Sequence, residues 1–249
     1  MNHPIIIRFD HVSKEYGGHA VLKDFSLDIA KGEFITVIGS SGSGKTTMLK
    51  MINGLLIPTK GTIYIDGKDI SKENLTLLRR NIGYVIQGIG LFPHMSVRKN
   101  IAYVPELLNK RDKQRTARAV ERLIKVVGLE EEILERYPAE LSGGQRQRVG
   151  IARSLAANPE ILLMDEPFGA VDEITRKMLQ TEIARIHQEL GVTIVFITHD
   201  IKEALKLGTR ILVMSNGKIE QIGTPEEIKN NPATDFVKEL VANAWYNPH

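Results

Sequence analysis

Gly39-Ser40-Ser41-Gly42-Ser43-Gly44-Lys45-Thr46 has the spacing of a phosphate-binding loop, a glycine and four residues before Gly-Lys-Thr. The glycines let the backbone curl so that successive N–H groups point at phosphate oxygens. The positive end of the following helix adds to that field. Lys45 is expected to reach the β- and γ-phosphates and Thr46 to ligate Mg²⁺, with Thr47 among the residues touching the nucleotide. An apolar run, Phe34 to Ile38, precedes the loop, and a helical pattern with Met48, Leu49 and Ile52 follows it. That strand–loop–helix setting is what the motif requires. The loop alone does not separate kinases, GTPases and other ATPases, which share it.

A second run narrows the chemistry. Ile161-Leu162-Leu163-Met164 leads into Asp165-Glu166-Pro167. An apolar strand ending in two carboxylates puts both at the carboxyl edge of a sheet, where open α/β sheets bind ligands. Asp165 suits a Mg²⁺ shell, and Glu166 suits a water held for attack on a γ-phosphate. Two neighbouring carboxylates with different duties point to hydrolysis rather than transfer to an acceptor. A third run, Leu141-Ser142-Gly143-Gly144-Gln145, precedes a helical stretch carrying Arg146, Arg148 and Arg153. It reads either as a second anion site, built from a hydroxyl, two exposed backbone N–H groups and a helix end, or as an ordinary serine N-cap.

Leu-Ser-Gly-Gly-Gln between a phosphate loop and an Asp-Glu-terminated strand resembles the ATP-binding-cassette (ABC) ATPases. The resemblance runs from Tyr16 to about Gly223. It implies an α/β P-loop NTPase with a RecA-like parallel core, an N-terminal antiparallel β subdomain and an inserted helical subdomain. It assigns Tyr16 to stacking on adenine, where the plain alternative is a core tyrosine. Gln87 would touch Mg²⁺ and the attacking water and link the site to a transport subunit. Asp172 would touch the opposite subunit, and His199 would contact the γ-phosphate. Lys45, Gln87, Glu166 and His199 are thus the implied catalytic set. Gly39 to Thr47, Tyr16, Ser142 to Gln145 and Asp172 are the implied nucleotide contacts, and Thr46, Gln87 and Asp165 the implied metal ligands. The chain departs from the family's frequent Ser-Ala-Leu-Asp with Gly169-Ala170-Val171-Asp172, keeping the aspartate. It also carries Gly88 where relatives often have a second polar residue.

Leu91-Phe92-Pro93-His94 after the glutamine is similar to importer ATPases. The longer stretch from Ile89 is similar to the branch that imports glycine betaine, choline or carnitine. Leu91 and Phe92 are then either docking contacts for a membrane subunit or packing under the helical lobe. The implied partners are a second copy, a permease and, indirectly, a substrate-binding protein, with no nucleic acid. Repair-type ABC ATPases insert long coiled coils between loop and signature, and this interval has no room for one.

The elements that must position these residues follow from periodicity. Short apolar or alternating runs at Ile5 to Val12, Phe25 to Ile29, Phe34 to Ile38, Ile63 to Ile65 and Ile82 to Ile86 read as strands between glycine-bearing turns. Arg111 to Val127 and Ser142 to Ala157 have helical spacing. From Ile161 onward strands and helices alternate, with near-continuous apolar strands that suit a parallel sheet. The expected organisation is one ABC domain: 1–86 with 158–249 as β-rich edge and core, and 87–157 as the helical part. No C-terminal regulatory domain is expected, only a short amphipathic tail around Phe236, Val237, Leu240 and Val241. With 249 residues, 42% hydrophobic and 25% charged, the chain can bury a sizeable core. A net charge of +3 with interleaved signs argues against a nucleic-acid stripe. The lack of cysteine excludes disulfides and thiolate chemistry. No apolar run approaches the roughly 20 residues of a membrane span, and the N-terminus lacks a signal-peptide layout. The expected location is peripheral, at the cytoplasmic face of the membrane.

Overall fold

Alternating apolar residues from Ile5 onward make β1 (Ile5–Tyr16) half-buried, and it lies between two antiparallel neighbours, β2 (His19–Ala30) and β4 (Lys60–Ile65). The alternation slips between Phe9 and Val12, where the register shifts and His11 turns to a φ of 49°. At the bulge His11 Nδ1 and Asp24 Oδ1 lie 2.7 Å apart across the strands, His11 N–H donates to Ser26 Oγ at 3.1 Å and Asp24 N–H to Ser13 Oγ at 3.0 Å. A strand expected to stop at Val12 therefore continues to Tyr16. Asp66 and Gly67, with φ of 51° and 73°, form a hairpin turn into β5 (Lys68–Asp69). The first sheet has the order β2-β1-β4-β5.

The computed structural model describes residues 4–86, 90–108, 112–169 and 171–246. The chain divides into two compact units, 1–78 with 193–249, and 79–192. Besides the antiparallel sheet, the first unit holds β3 (Phe34–Gly39) and α1 (Lys45–Ile52), with α2 (Leu75–Arg80) leading out of it. On the chain's return it gains β8 (Thr193–Ile197), α7 (Ile201–Leu207), β9 (Arg210–Ser215), β10 (Lys218–Gly223), α8 (Pro225–Asn230) and α9 (Asp235–Tyr246). β3 pairs in parallel with both β8 and β9, and Phe34 to Ile38 are all buried. Apolar residues at every position suit a strand covered on both faces. The amphipathic tail is α9: Val237 and Val241 pack with Ile38, Ile201, Ile211 and Ile228, with Phe236 and Leu240 against them. Each buried valine contributes about 1.5–3 kcal/mol of transfer free energy.

The second unit holds the parallel pair β6 (Ile82–Val85) and β7 (Ile161–Asp165). Its helices are α3 (Val97–Leu108), α4 (Lys113–Val126), α5 (Gly143–Leu155) and α6 (Glu173–Leu190). Helix α3 carries Pro105 in its interior, which masks its helical pattern in the sequence. The side chain of the fully buried Asn100 knots the loop before it. Its Oδ1 accepts from Phe92 N–H at 2.8 Å, and its amide nitrogen lies 3.0–3.1 Å from the carbonyls of Phe92, Met95 and Ser96. Replacing Asn100 by Ala strands these buried groups. The expected loss is about 1–3 kcal/mol, read as a lower thermal midpoint with the fold retained. An unchanged midpoint would contradict the knot.

Candidate functional site

Two close approaches force the phosphate loop's course. β3 leaves its sheet at Gly39, where a Cβ would stand 1.9 Å from the Met214 carbonyl oxygen. At Gly44, φ is 97° and a Cβ would meet Leu22 at 2.7 Å and the Val21 carbonyl at 2.9 Å. Neither position accepts a side chain. Between them Ser40, Ser41 and Gly42 are exposed, whereas Ser43 is buried. The Lys45 ammonium is drawn inward and donates to the carbonyls of Gly39 at 2.9 Å and Ser40 at 2.8 Å, with the Ser43 hydroxyl at 3.4 Å. Thr46 is exposed and Thr47 half-buried in the first turn of α1.

Helix ends distinguish this loop further. Helices α4 to α8 each start on a capping side chain, from Asp112, Ser142, Asp172, Asp200 and Thr224 respectively. Helix α1 starts on Gly44 with no side-chain cap and no acidic residue in its first turn. A helix N-terminus with no N-cap side chain, behind a glycine loop and a lysine, is a fit for phosphate oxygens. In the same unit Val37 pairs with Ile197, so Gly39 and His199 leave the sheet at one edge. His199 is exposed, and so is Tyr16, at 46%, which removes the reading of Tyr16 as a core residue. Lys14 Nζ sits 4.9 Å from the Tyr16 ring centre.

The second unit carries the acidic pair. β7 is buried throughout, Asp165 included. Glu166 follows with φ of 46°, a left-handed backbone that is costly for a residue with a side chain and concentrates at functional positions. Its carbonyl accepts from Gly169 N–H at 3.2 Å, which closes the turn. Gln87 lies outside the described residues, as do Gly88, Ile89 and Ala170. The chain just beyond them is anchored by Arg153 of α5, which donates to the Gly90 carbonyl at 2.7 Å and stands 5.5 Å from the Phe92 ring centre. Phe92 also packs on Tyr103 at 4.9 Å, and Leu91 and Phe92 are half-buried. Packing inside the helical unit thus accounts for part of their apolar surface.

Ser142 is the N-cap of α5. Its Oγ accepts from Gln145 N–H at 3.2 Å, and Gln145 Oε1 accepts from Ser142 N–H at 2.9 Å. The capping reading is therefore correct as local structure. It also orients the serine: the oxygen is engaged as an acceptor, and the hydroxyl proton remains a donor for an anion. Gly144 has its own steric reason, since a Cβ there would meet the Thr175 methyl at 2.6 Å. Asp172 caps α6 by accepting from Thr175 N–H at 3.0 Å; hydrogen bonding from the Thr175 side chain first, and from this N–H second, pulls its pKa below the usual carboxylate value. The structure thus brings Asp172 and the signature run side by side through Thr175. Asn100, Arg153 and Thr175 have structural roles here that their place in the sequence does not announce. Asparagine and threonine signal nothing by type, and the arginine's partner is 63 residues away.

Comparison with known proteins gives the family and the fold. A family model described as ABC transporter matches residues 22–169. Carnitine transport ATP-binding protein OpuCA of Listeria monocytogenes is 54% identical over 237 residues, which is 95% of this chain and 59% of the relative. Glycine betaine uptake system ATP-binding protein YehX of Escherichia coli K12 is 50% identical over 235 residues, 94% of this chain and 76% of the relative. Among solved structures, the dimeric post-hydrolysis state of the ATP-binding cassette MJ0796 bound to ADP and Pi superimposes with a TM-score of 0.79 at 35% identity. That match covers 88% of this chain and 99% of the cassette. The cbiO1 structure from Clostridium perfringens gives 0.84 at 29% identity, covering 92% of each chain. The chain belongs to the ABC transporter family, and its fold is the α/β P-loop NTPase fold of an ATP-binding cassette. It spans about three fifths of the length of the OpuCA relatives, 59% for one and 62% for another.

Tyr84 of β6 reports on the acidic strand. Burial first, and the Asp165 charge second, push its phenol up to about 12. A raised folded pKa gives stability that is complete below the unfolded value of about 10 and is lost as pH rises through the folded one. Stability is therefore expected to fall between about pH 10 and pH 12, and Tyr84→Phe to flatten that fall by one proton's slope. Denaturant titrations across this range read the slope; equal slopes in both proteins would contradict the assignment.

Proposed function

We propose that this chain is the ATP-hydrolysing subunit of an ABC importer for a small solute, and that the solute is a quaternary-ammonium osmoprotectant. The observation that carries the ATPase reading is the phosphate loop: a glycine cradle closed to side chains, Lys45 drawn to its centre and an uncapped helix behind it. The cargo reading rests on relatives named for carnitine, glycine betaine and choline transport, at 50–54% identity. A second cargo, an inorganic oxyanion, has support from a relative named for sulfate/thiosulfate import at 46% identity.

In the proposed mechanism Tyr16 stacks on adenine, and the loop N–H groups hold the phosphates. Lys45 turns from the Gly39 and Ser40 carbonyls to the β- and γ-phosphates. Thr46, Asp165 and Gln87 would hold Mg²⁺; a hydroxyl, a carboxylate and an amide oxygen are the hard donors that ion takes. The ion would supply charge neutralisation at the phosphates. Glu166, on its left-handed turn, orients water for in-line attack, and His199 donates to the γ-phosphate. Ser142 to Gln145 of a second copy complete the cage, with the Ser142 hydroxyl donating its proton. Asp172, beside that run, meets the opposite copy. The partners are thus a second copy and a permease. In this reading the permease holds the protein at the cytoplasmic face of the membrane.

Glu166→Gln is expected to bind ATP without hydrolysing it and to accumulate as an ATP-dependent dimer by light scattering. A species that stays monomeric with ATP would sink the two-copy cage. Uptake of labelled betaine, carnitine, choline and sulfate by the reconstituted transporter separates the cargo readings.

A further inference from the structure

We propose that Glu203 is a positioning residue that sets the direction of His199, an inference that rests on the γ-phosphate role proposed for that histidine. Glu203 is 5% exposed, one of few buried carboxylates. Burying a carboxylate is unfavourable unless hydrogen bonds compensate it. Its place in the chain suggests an ordinary reason. Asp200 is the N-cap of α7 and accepts from Lys202 N–H at 2.8 Å, which makes Glu203 the third residue of the helix. A glutamate there normally reaches back to the N–H of the capping residue and closes a capping box. Helices α5 and α8 of this protein do that with Gln145 and Glu227.

At α7 a hydroxyl is interposed. Glu203 Oε2 accepts from Thr198 Oγ1–H at 2.6 Å, and Thr198 Oγ1 in turn accepts from Asp200 N–H at 3.0 Å. The relay therefore starts on one side of His199 and ends on the other. Thr198 is 2% exposed, and its own N–H donates to the Val37 carbonyl of β3 at 3.1 Å. The Asp200 carbonyl accepts from Ala204 N–H at 3.1 Å. Both flanks of His199 are thus tied down, to the strand that delivers the phosphate loop and to the first turn of α7. The exposed imidazole is the part the relay leaves outside. A carboxylate polarises the hydroxyl it accepts from, which makes Oγ1 a stronger acceptor for Asp200 N–H. An apolar side chain at 203 would fill the space and lose this fix on the turn.

The test compares ATP hydrolysis by the full chain with Mg-ATP in wild type and variants, with thermal midpoints recorded for each and the ring ¹H–¹³C NMR signal of His199 recorded for every protein that keeps the histidine. His199→Ala is expected to lower kcat about 100-fold, as loss of one transition-state donor does. Glu203→Ala and Thr198→Val are expected to lower kcat about tenfold, leave the KM for ATP within about twofold, and move the His199 signal. Glu203→Gln and Thr198→Ser keep an acceptor or hydroxyl in the relay and should recover activity to within about threefold of wild type. In a His199→Ala background, Thr198→Val should add less than about twofold, because nothing remains to be positioned. If Glu203→Ala does not fold, Thr198→Val and Glu203→Gln decide, since neither strands a cavity beside the turn. Wild-type kcat in His199→Ala would overturn the role of the histidine itself. A slow His199→Ala beside a fully active Thr198→Val, or an equal Thr198→Val loss in both backgrounds, would overturn the positioning role alone.

Discussion

The backbone of Gly39 passes the Met214 carbonyl so closely that a Cβ would stand 1.9 Å from it. Everything at the phosphate loop depends on that contact. It lets β3 stay in register with β9 to its last residue, Gly39 opposite Met214, and turn abruptly afterwards. The turn delivers the N-terminus of α1, whose N-cap glycine supplies no side-chain cap, to the carboxyl edge of the strands. β3 must also be a fully buried, central strand, because its flanks are β8 and β9. β8 then brings His199 out beside the loop. Close packing of one backbone against another thus places a cation, a helix end and an imidazole on one edge.

The second unit applies the same economy to its own residues. A buried parallel pair carries Asp165 and Glu166 to a strand end, and a left-handed residue turns the chain there. The signature run is held by a reciprocal cap and by the fit of Gly144 under Thr175. Arg153 ties the same helix to the chain after Gln87. Helix starts in this protein therefore serve two ends. Most are satisfied from within and so fix loops, whereas α1 keeps its field for an anion.

Much of this is legible in the residues. The phosphate loop, the strand before it, the Asp-Glu strand end and the cap at Ser142 follow from spacing, because glycine, lysine and carboxylates act through fixed geometry. The turns at Asp66-Gly67 and Gly128 rest on the same kind of geometry, with Gly128 at a φ of 64°. What escaped depends on folded contacts that residue type does not announce, some only a few residues apart and one 63 residues apart. β1 outruns its alternation because a bulge is stabilised from the opposite strand, and α3 hides behind Pro105. Asn100, Thr175 and Glu203 look ordinary until the turns they hold are seen. Arg153 stood in a visible arginine-rich run, but its acceptor is a backbone carbonyl that no side-chain pattern reveals.

The central claim is that the loop from Gly39 to Thr46, with Lys45 at its centre, holds the phosphates of ATP. Calorimetric titration of the full chain with Mg-ATP, wild type against Lys45→Ala, tests it most directly. The variant is expected to keep its thermal midpoint within a few degrees and to lose at least about tenfold in affinity, the equivalent of ~1.4 kcal/mol. Equal affinities in the two proteins would contradict it.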